Sequence, residues 1–569
     1  MSAEPRLKVV LCWHMHQPFY RDVVSGEYQL PWTYLHAIKD YVDMAAHLEA
    51  VPAARAVINF APTLLEQIAD YAEQVRGSLT ESTPIRDPLL AQLDKPVLPN
   101  SVSARLSLMR HCLRANRQRL IERFPPYRQL ADMADWLELH PEAMFYIGEQ
   151  FLADILVWYH LAWLGETVRR DDVRVQELMD KGNGFSLHDR RVLLEIIGGL
   201  LSGLIDRYRL LAERGQVELS VSPYAHPIMP LLLDINSAKE AWPDVHLPLL
   251  AHYPDGEQRT RWHINEGLNT FRRFFGFTPQ GCWPSEGSVS DATLKILAES
   301  GFRWTASGEA VLSNSVAQDP ALAGLARDQY LYRPYRPKQG KLVTFFRDDG
   351  LSDLIGFSYA SWHADDAVAN FIHNLENIAR VCRGRPNSVV SIVLDGENAW
   401  EYYPDNGYYF LSALYQRLAA HPTIELSTFS DSIGATDQIA VLPHVVAGSW
   451  VYGSFSTWIG DPDKNRAWDM LGDAKCAFDR AVEGGHLSDK QLHMARRQMA
   501  ICEGSDWFWW FGDYNPAATV SDFERLFRLQ LANLYQLIGA VPPDYLAQVF
   551  AHGAGAPQLG GVMRPGKSE

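Results

Sequence analysis

Positive charge is scarce in this sequence relative to negative charge. Across 569 residues there are 52 Lys and Arg against 68 Asp and Glu, which gives a formal net charge of −16. Proteins that bind nucleic acid need a basic surface that neutralises phosphates. The chain also has no run of like charges of the kind that forms an interaction tail. The composition therefore argues against a nucleic-acid partner.

Long apolar runs and paired cysteines are missing as well. No stretch approaches the roughly 18 consecutive apolar residues of a membrane-spanning helix. The opening residues MSAEPRLKVVLCWHMH lack the basic region and long apolar region of a signal peptide. The six cysteines are scattered without a CxxC pair, which makes a disulfide framework or a thiolate zinc site unlikely to form. We therefore expect a cytoplasmic protein with no membrane partner.

Aromatic residues, in contrast, are plentiful. The chain is 47% hydrophobic and 21% charged, as expected for a folded protein, and it contains 17 Trp and 24 Tyr. Several of the tryptophans stand beside Asp, Glu and Gly rather than inside apolar periods. Flat sugar faces stack on aromatic rings while sugar hydroxyls bind carboxylates, so this mixture suits a carbohydrate-binding protein. For most of the 17 tryptophans, packing in the core is the better explanation.

Strand and helix patterns alternate along most of the chain. LKVVLCWHMHQP, ARAVINF, QVELSVSPYAHP, LVTFF and SVVSIVLD are predicted strands, and helical periods separate them. Residues 65–215 are mostly helical, and the strand signal fades after about residue 440. Mostly apolar strands that alternate with helices predict a parallel sheet, either open or closed into a barrel.

Polar residues recur at or just beyond the predicted strand ends. In parallel barrels and open α/β sheets this face carries the active site, whereas random surface acids would also scatter over helix faces. The residues concerned are His14, His16, Glu218, Glu286, Glu309, Asp348 and Asp395. Their common position predicts a site at the carboxyl ends of the strands.

Two of these acids suggest a specific chemistry. Asp395 ends the strand SVVSIVLD, and Glu286 stands in GCWPSEGSVS among small and aromatic residues. Two carboxylates on neighbouring strand ends can act as general acid and as nucleophile or base, which is glycosidase chemistry. For Asp395, an N-cap on the following helix is an equally good interpretation of the sequence.

The remaining motifs leave more than one interpretation open. His14 and His16 alternate along a strand and so face the same side, where they can bind a metal, donate to sugar hydroxyls, or simply be satisfied polar residues. Arg347 in RDDGLSD suits a salt bridge that orders a loop. Trp458 and Asp461 in STWIGDPDKN, and Trp507 in SDWFWWFGDYN, are candidates for the lining of a sugar cleft. Phe508 and Trp510 are better explained as core residues.

Five motifs in order resemble the conserved regions of glycoside hydrolase family 57. They are HMHQP, GQVELSVSPYAHPIMPLL, GCWPSEGSVS, LDGENAWEYYP and DFERLFRLQLANLY, and they extend from about residue 10 to 540. The second to fourth, together with STWIGDP, are similar to the amylopullulanase-like branch. In the fifth, the family often has a His where this chain has Gln530, which weakens any subsite role for that helix.

The resemblance implies an α/β fold with an incomplete seven-stranded parallel (β/α) barrel, large helical insertions and a C-terminal helical region. We expect residues 1–435 to form the catalytic barrel, with a helical insertion around 65–215, and residues 436–569 to complete the cleft. The family's nucleophile falls on Glu286 and its general acid/base on Asp395. The implied contacts to the sugar next to the scissile bond are His14, His16, Glu218 and His226.

The predicted activity is a retaining hydrolase acting on α-1,4-glucans such as starch, glycogen and maltooligosaccharides, with α-1,6 bonds as a further candidate. No metal or other cofactor is expected. Trp283 and Trp400 are expected as hydrophobic walls, and Glu309, Asp348 and Glu397 as further sugar contacts. The alternatives are a 4-α-glucanotransferase or branching enzyme that uses the same residues, a metal-dependent carbohydrate deacetylase or hydrolase, and a catalytically silent glycan-binding protein.

Overall fold

The strands of the computed structural model form one sheet of ten strands. The structure describes residues 6–385, 387–434, 439–555 and 563–564. Within these ranges the strands are β1 (Leu7–Met15), β2 (Ala56–Phe60), β3 (Val217–Val221), β4 (Gly281–Cys282), β5 (Trp304–Ser307), β6 (Tyr335–Arg336), β7 (Val343–Phe346), β8 (Val389–Asp395), β9 (Ile424–Leu426) and β10 (Ala440–Val441).

The α-helices lie mainly between β2 and β3 and after β10. Within the same ranges they are α1 (Trp32–His36), α2 (Val42–Ala50), α3 (Pro62–Glu81), α4 (Val102–His111), α5 (Pro125–Leu139), α6 (Glu149–Trp163), α7 (Glu166–Asp171), α8 (Val173–Lys181), α9 (Leu187–Glu213), α10 (Met229–Leu233), α11 (Ala238–Ala241), α12 (Gly256–Phe275), α13 (Asp291–Glu299), α14 (Glu309–Gln318), α15 (Arg327–Tyr330), α16 (Asp349–Asp353), α17 (Ala364–Val381), α18 (Tyr408–Ala419), α19 (Phe429–Ser432), α20 (Pro462–Glu483), α21 (Asp489–Cys502), α22 (Ser505–Trp510) and α23 (Ala517–Leu537).

The sheet is dominated by parallel pairing. The order β8-β1-β2-β3-β4-β5-β7 is parallel throughout, β6 pairs antiparallel with β7, and β9 lies beside the start of β1. An isolated bridge between Arg347 and Ser391 links β7 to β8, the two ends of the parallel run. The sheet therefore curves into an incomplete barrel, as the sequence predicts.

Alternating residues of the central strands are buried on opposite faces of the sheet. On β1, Val9 and Leu11 pack in the main core, whereas Val10 and Cys12 belong to a separate apolar cluster with Val393 of β8. Burial on both faces is why these strands are nearly continuous apolar runs in the sequence. The second cluster fills the barrel, so the polar residues are displaced to the strand ends.

The helix boundaries follow local signals that the sequence contains. Helix α9 begins with a capping box at Ser186, and α12 ends at Gly276, whose φ of 80° is left-handed. The expected boundary between residues 435 and 436 lies outside the described residues. None of the described helices combines the length and the apolar character that crossing a bilayer requires.

Candidate active site

A cavity of about 280 Å³ opens at the carboxyl ends of the barrel strands. Polar residues from β1, β8 and the segments after β3 and β4 line its floor, and aromatic residues of the C-terminal helices line its wall. The polar lining residues that the sequence predicts are His14, His16, His226, Glu286, Asp395 and Glu397. The structure therefore brings six of the expected site residues together.

Glu286 lies in a short turn, Ser285–Gly287, directly after β4 and its Trp283-Pro284 extension. Its φ of 58° and ψ of 24° are left-handed, which is uncommon for a residue with a side chain. The peptide N–H of Trp450 donates to the Glu286 carbonyl at 3.0 Å and helps to hold this conformation. Such strained backbone concentrates at functional sites. The turn aims the carboxylate into the cavity.

Two side chains donate to the Glu286 carboxylate. Trp450 Nε1 lies 3.2 Å from Oε2, and Ser505 Oγ lies 3.1 Å from Oε1. Burial, together with the negative charges of Asp395 and Asp506, raises the pKa of Glu286 from 4.5 to about 8. In the free protein, this carboxyl therefore retains a proton near neutral pH.

Asp395 is the last residue of β8 and pairs in register with His14 of β1. Burial raises the pKa of its carboxyl to about 6, although Asn398, His16 and Arg347 act in the opposite direction. Asn398 Nδ2 donates to Asp395 Oδ2 at 2.8 Å. The alternative interpretation of Asp395 as a helix N-cap is wrong, because the next helical turn begins after Glu397 and has no side-chain cap.

Three histidines stack on the floor of the cavity. The centroid of the His16 ring lies 3.9 Å from that of His226 and 5.5 Å from that of His14. Burial lowers the pKa of His14 to about 3 and that of His226 well below its usual value, and the His16 charge adds to both shifts. For His16, burial is outweighed by the carboxylates of Asp506, Glu286 and Asp395, so its pKa is raised. Among the three histidines, His16 is therefore the one whose protonated form the surrounding carboxylates favour.

The three histidines are also the group of possible metal ligands in the described part of the chain, since one nitrogen of each lies within 4.8 Å of the others. All of their ring nitrogens except His16 Nδ1 have partners among the described residues, however. His14 Nε2 lies 3.1 Å from His226 Nε2, and His16 Nε2 lies 2.7 Å from Asp506 Oδ1. A metal would have to displace these hydrogen bonds, so the geometry does not favour a metal site.

Glu218 does not reach the site, which corrects the expected sugar contact. It is the second residue of β3, near the amino-terminal end of the barrel. Its carboxylate accepts from Trp304 Nε1 at 2.6 Å and from the Ser430 N–H at 3.0 Å. Glu218 therefore ties β3 to β5 and to helix α19 at the opposite end of the strands.

Glu309, Asp348 and Asp461 are likewise structural rather than sugar contacts. Glu309 and Asp348 are buried and both bind Arg327, with the Arg327 Nη2 atom 2.7 and 2.8 Å from their carboxylates. Asp348 also caps α16, and Asp461 caps α20 by accepting the Asp463 N–H. Each of these acids satisfies backbone or arginine donors outside the cavity.

The four expected tryptophans are core residues, which is a second correction. They are Trp283, Trp400, Trp458 and Trp507, each at most 1% exposed and outside the cavity lining. The Trp283 ring packs against the turn that carries Glu286. A Cβ atom added to Gly287 in this turn would lie 2.8 Å from the ring. Gly287 is therefore required both by its left-handed backbone, with a φ of 58°, and by packing against this ring.

Trp450 lies beside Glu286, and its ring lines the cavity. The sequence does not predict this role for Trp450. Trp509 and Trp510 also line the cavity, although the sequence favoured a core position for Trp510, whereas Phe508 is fully buried as predicted. Arg347 makes the expected salt bridges, to Asp349 at 2.8 Å and Asp353 at 2.6 Å, and also lines the cavity.

Ser505 and Asp506 were missed as well, although SDWFWWFGDYN was recognised as a candidate segment. Both stand in the first turn of α22, where they contact Glu286 and His16. A small polar residue followed by an acid directly before an aromatic run is the one signal that the sequence offered for them.

Comparison with known proteins adds a family and several related folds. The model described as Glycosyl hydrolase family 57 matches residues 10–443. A branching enzyme of the same family type from Thermococcus kodakaraensis, in complex with glucose and additives, is 15% identical and superposes with a TM-score of 0.56, covering 93% of this chain and 90% of that chain. The α-amylase AmyC from Thermotoga maritima is 13% identical, with a TM-score of 0.54 and coverage of 94% and 97%. A branching enzyme from Pyrococcus horikoshii is 15% identical, with a TM-score of 0.55 and 99% coverage of both chains. These likenesses establish the shared fold.

Proposed function

The chain belongs to glycosyl hydrolase family 57, and we propose that it cleaves α-1,4-glucans such as starch, glycogen and maltooligosaccharides with retention at the anomeric carbon. Bonds of the α-1,6 type are a further candidate. The observation that carries the proposal is the shared cavity of Glu286 and Asp395, a buried and a partly buried carboxyl whose pKa values are both raised. One acid and one carboxylate on opposite sides of a glycosidic bond are what double displacement needs.

In the proposed first step, a Glu286 oxygen forms a bond to the anomeric carbon while the bond to the leaving oxygen breaks. Asp395 gives its proton to that oxygen. In the second step, Asp395 takes a proton from water or a sugar hydroxyl, whose oxygen displaces Glu286. The N–H of Trp450 and the hydroxyl of Ser505 stabilise the Glu286 carboxylate before attack. His16 Nδ1, which is buried and has no hydrogen-bond partner among the described residues, can bind a hydroxyl of the reacting sugar, and the stacked rings of His14 and His226 hold the His16 ring in place.

Azide rescue tests the two roles separately. With an α-maltosyl fluoride donor, Glu286→Ala should form the β-azide, because azide replaces the missing nucleophile in a single inverting step. Asp395→Ala should form the α-azide, because the glycosyl-enzyme still forms and azide then attacks it. Exchange of these products between the variants would reverse the roles. Near wild-type cleavage of amylose by Glu286→Gln or Asp395→Asn would refute the site itself.

Transfer to a sugar acceptor is the second candidate, and the wall of the cavity favours it. Trp450, Trp509, Trp510 and Phe523 present apolar rings beside the carboxyls. Such rings can hold an acceptor sugar by stacking and keep water away from the intermediate. Incubation with maltotriose and maltoheptaose separates the outcomes, because products longer than the substrate indicate transfer and only shorter products indicate hydrolysis.

A further inference from the structure

Ser505 lies between two groups that each require its single hydroxyl hydrogen. Its Oγ is 2.9 Å from His226 Nδ1 and 3.1 Å from Glu286 Oε1. The residue is fully buried, and its N–H donates to the His226 carbonyl at 2.8 Å, which fixes its position. A hydroxyl donates only one hydrogen bond at a time. The protonation states of His226 and Glu286 therefore decide where that hydrogen points.

The tautomers of the neighbouring histidines follow from Asn59. Its Nδ2 donates to Ser220 Oγ at 3.0 Å, so its Oδ1 faces His14 Nδ1 at 2.7 Å. Because an amide oxygen only accepts, His14 Nδ1 carries the hydrogen. Neutral His14 then accepts at Nε2, and the hydrogen of the bond between the two histidines belongs to His226 Nε2.

The consequence is that neutral His226 has a bare Nδ1 that faces Ser505. If Glu286 is protonated, its hydroxyl donates to Ser505 Oγ and the Ser505 hydrogen donates to His226. If Glu286 is ionised, the Ser505 hydrogen turns to the carboxylate and the bond to His226 is lost. In each state the facing oxygens of Glu286 and Ser505 share one hydrogen bond. The orientation of the Ser505 hydroxyl is therefore coupled to the proton on Glu286.

We propose, on the basis of the double displacement argued above, that Ser505 is a positioning residue that stabilises ionised Glu286 by reorienting its hydroxyl from His226 to the nucleophile. The carboxyl pair carries a single proton in the reactive state. That proton leaves Glu286 and is held by Asp395, where it serves as the acid for the leaving oxygen. Ser505 favours this distribution because it donates to the carboxylate that has lost the proton.

The experiment compares the pH dependence of kcat/KM for α-maltosyl fluoride in wild type and in Ser505→Ala and Ser505→Thr. Fluoride leaves without a proton from Asp395, so the acidic limb reports ionisation of the nucleophile. The titratable and charged groups around Glu286 all remain in these variants; they are His14, His16, His226, Asp395, Asp506 and, beyond Asp395, Arg347. We expect Ser505→Ala to lower kcat/KM about 10- to 100-fold and to move the acidic limb to higher pH. Ser505→Thr, which keeps the hydroxyl, should restore the wild-type limb.

The matched control is Ser432→Ala, which removes the hydroxyl of another buried serine, one that donates to the Thr428 carbonyl at 2.7 Å at the opposite end of the strands from the cavity. Its acidic limb should coincide with that of wild type. Thermal unfolding verifies that each variant is folded. A folded Ser505→Ala variant with an unshifted acidic limb would overturn the role of Ser505. Failure of azide rescue in Glu286→Ala and Asp395→Ala would instead overturn the double displacement, so the two failures are distinguishable.

Discussion

His16 and Asp506 join the two ends of the chain at the active site, with 2.7 Å between His16 Nε2 and Asp506 Oδ1. His16 follows the first strand of the barrel, and Asp506 lies in the first turn of α22 in the C-terminal helical region. The ion pair is largely buried, because each side chain is 12% exposed. The C-terminal helices therefore contribute directly to the charge balance of the site.

Asp506→Asn should lower the pKa of His16, because Asp506 is the strongest of the carboxylates that raise it. Without the Asp506 charge, the carboxylates that still raise the His16 pKa are those of Glu286 and Asp395. The contact between His16 and α22 also loses its ionic component. We expect kcat/KM to fall about 10-fold or more, since the loss of one partner of a buried charged hydrogen bond costs about 1.5–3 kcal/mol. NMR titration of the histidines, with His16→Gln for assignment, measures the pKa. The exposed Asp489→Asn in the same region is the control, and an unchanged His16 titration would contradict the prediction.

The pH dependence of kcat/KM on maltooligosaccharides should be bell-shaped, with apparent pKa values of about 6 and about 8 that belong to the carboxyl pair. Below the lower value both carboxyls are protonated and no nucleophile is present. Above the higher value both are ionised and no acid is present. With the fluoride donor, Asp395→Asn should shift the acidic limb to lower pH, because the negative charge that raises the pKa of Glu286 is gone. An acidic limb at the wild-type pH would show that the charge of Asp395 does not raise the pKa of Glu286.

Glu286→Gln should stabilise the fold in alkaline solution. The Glu286 pKa rises from its ordinary 4.5 to about 8 on folding. Between these values the folded state binds more protons than the unfolded state, so the free energy of unfolding falls as pH rises. A glutamine at this position cannot ionise, so the variant does not lose this part of the free energy of unfolding as the pH rises. We expect a Tm about 1–3 °C above wild type near pH 8, and little difference near pH 4.5. The exposed Glu81→Gln controls for the substitution, and a Tm advantage independent of pH would contradict the assigned cause.

Glu218→Ala should reduce stability without changing substrate binding. Its carboxylate bonds Trp304 and Ser430 at the amino-terminal end of the barrel, and loss of these contacts costs about 1–2 kcal/mol. Urea unfolding measures the change, and KM for maltoheptaose should match wild type. The comparison variant is His226→Ala, which lies in the cavity and should impair turnover. A large rise in KM for Glu218→Ala would restore the sugar contact that the sequence suggested.

Removal of divalent metals should leave the activity unchanged. The ring nitrogens of His14 and His226 already share a hydrogen bond, and His16 is bound to Asp506. Dialysis against EDTA, followed by assay on amylose with and without added zinc, measures the effect. Activity lost with the chelator and regained with zinc would favour a metal-dependent hydrolase instead.

Local patterns were sufficient to predict the longer strands, most helices and several residues of the site. SVVSIVLD is a buried strand that ends in Asp395, and His14 and His16 follow another, so their place at the carboxyl ends followed from apolar runs alone. Glu286 and Asp395 were paired from their places after predicted strands, and the resemblance of five short motifs to a family then implied the role of each. Glu218 was misplaced because alternation along a strand identifies the face of a residue and not its depth in the barrel.

The sequence by itself thus determined a parallel sheet, the strand ends at which its chemistry is concentrated, and the two carboxyls. Tertiary structure decided which aromatic and polar residues surround those carboxyls. Trp283 and Trp450 have equivalent rings, yet only packing in the folded barrel sets one beneath the cavity floor and the other against Glu286. Ser505 reaches Glu286 across 219 positions of sequence. Contacts at such a distance depend on how helices pack against the sheet, and no local periodicity encodes that packing.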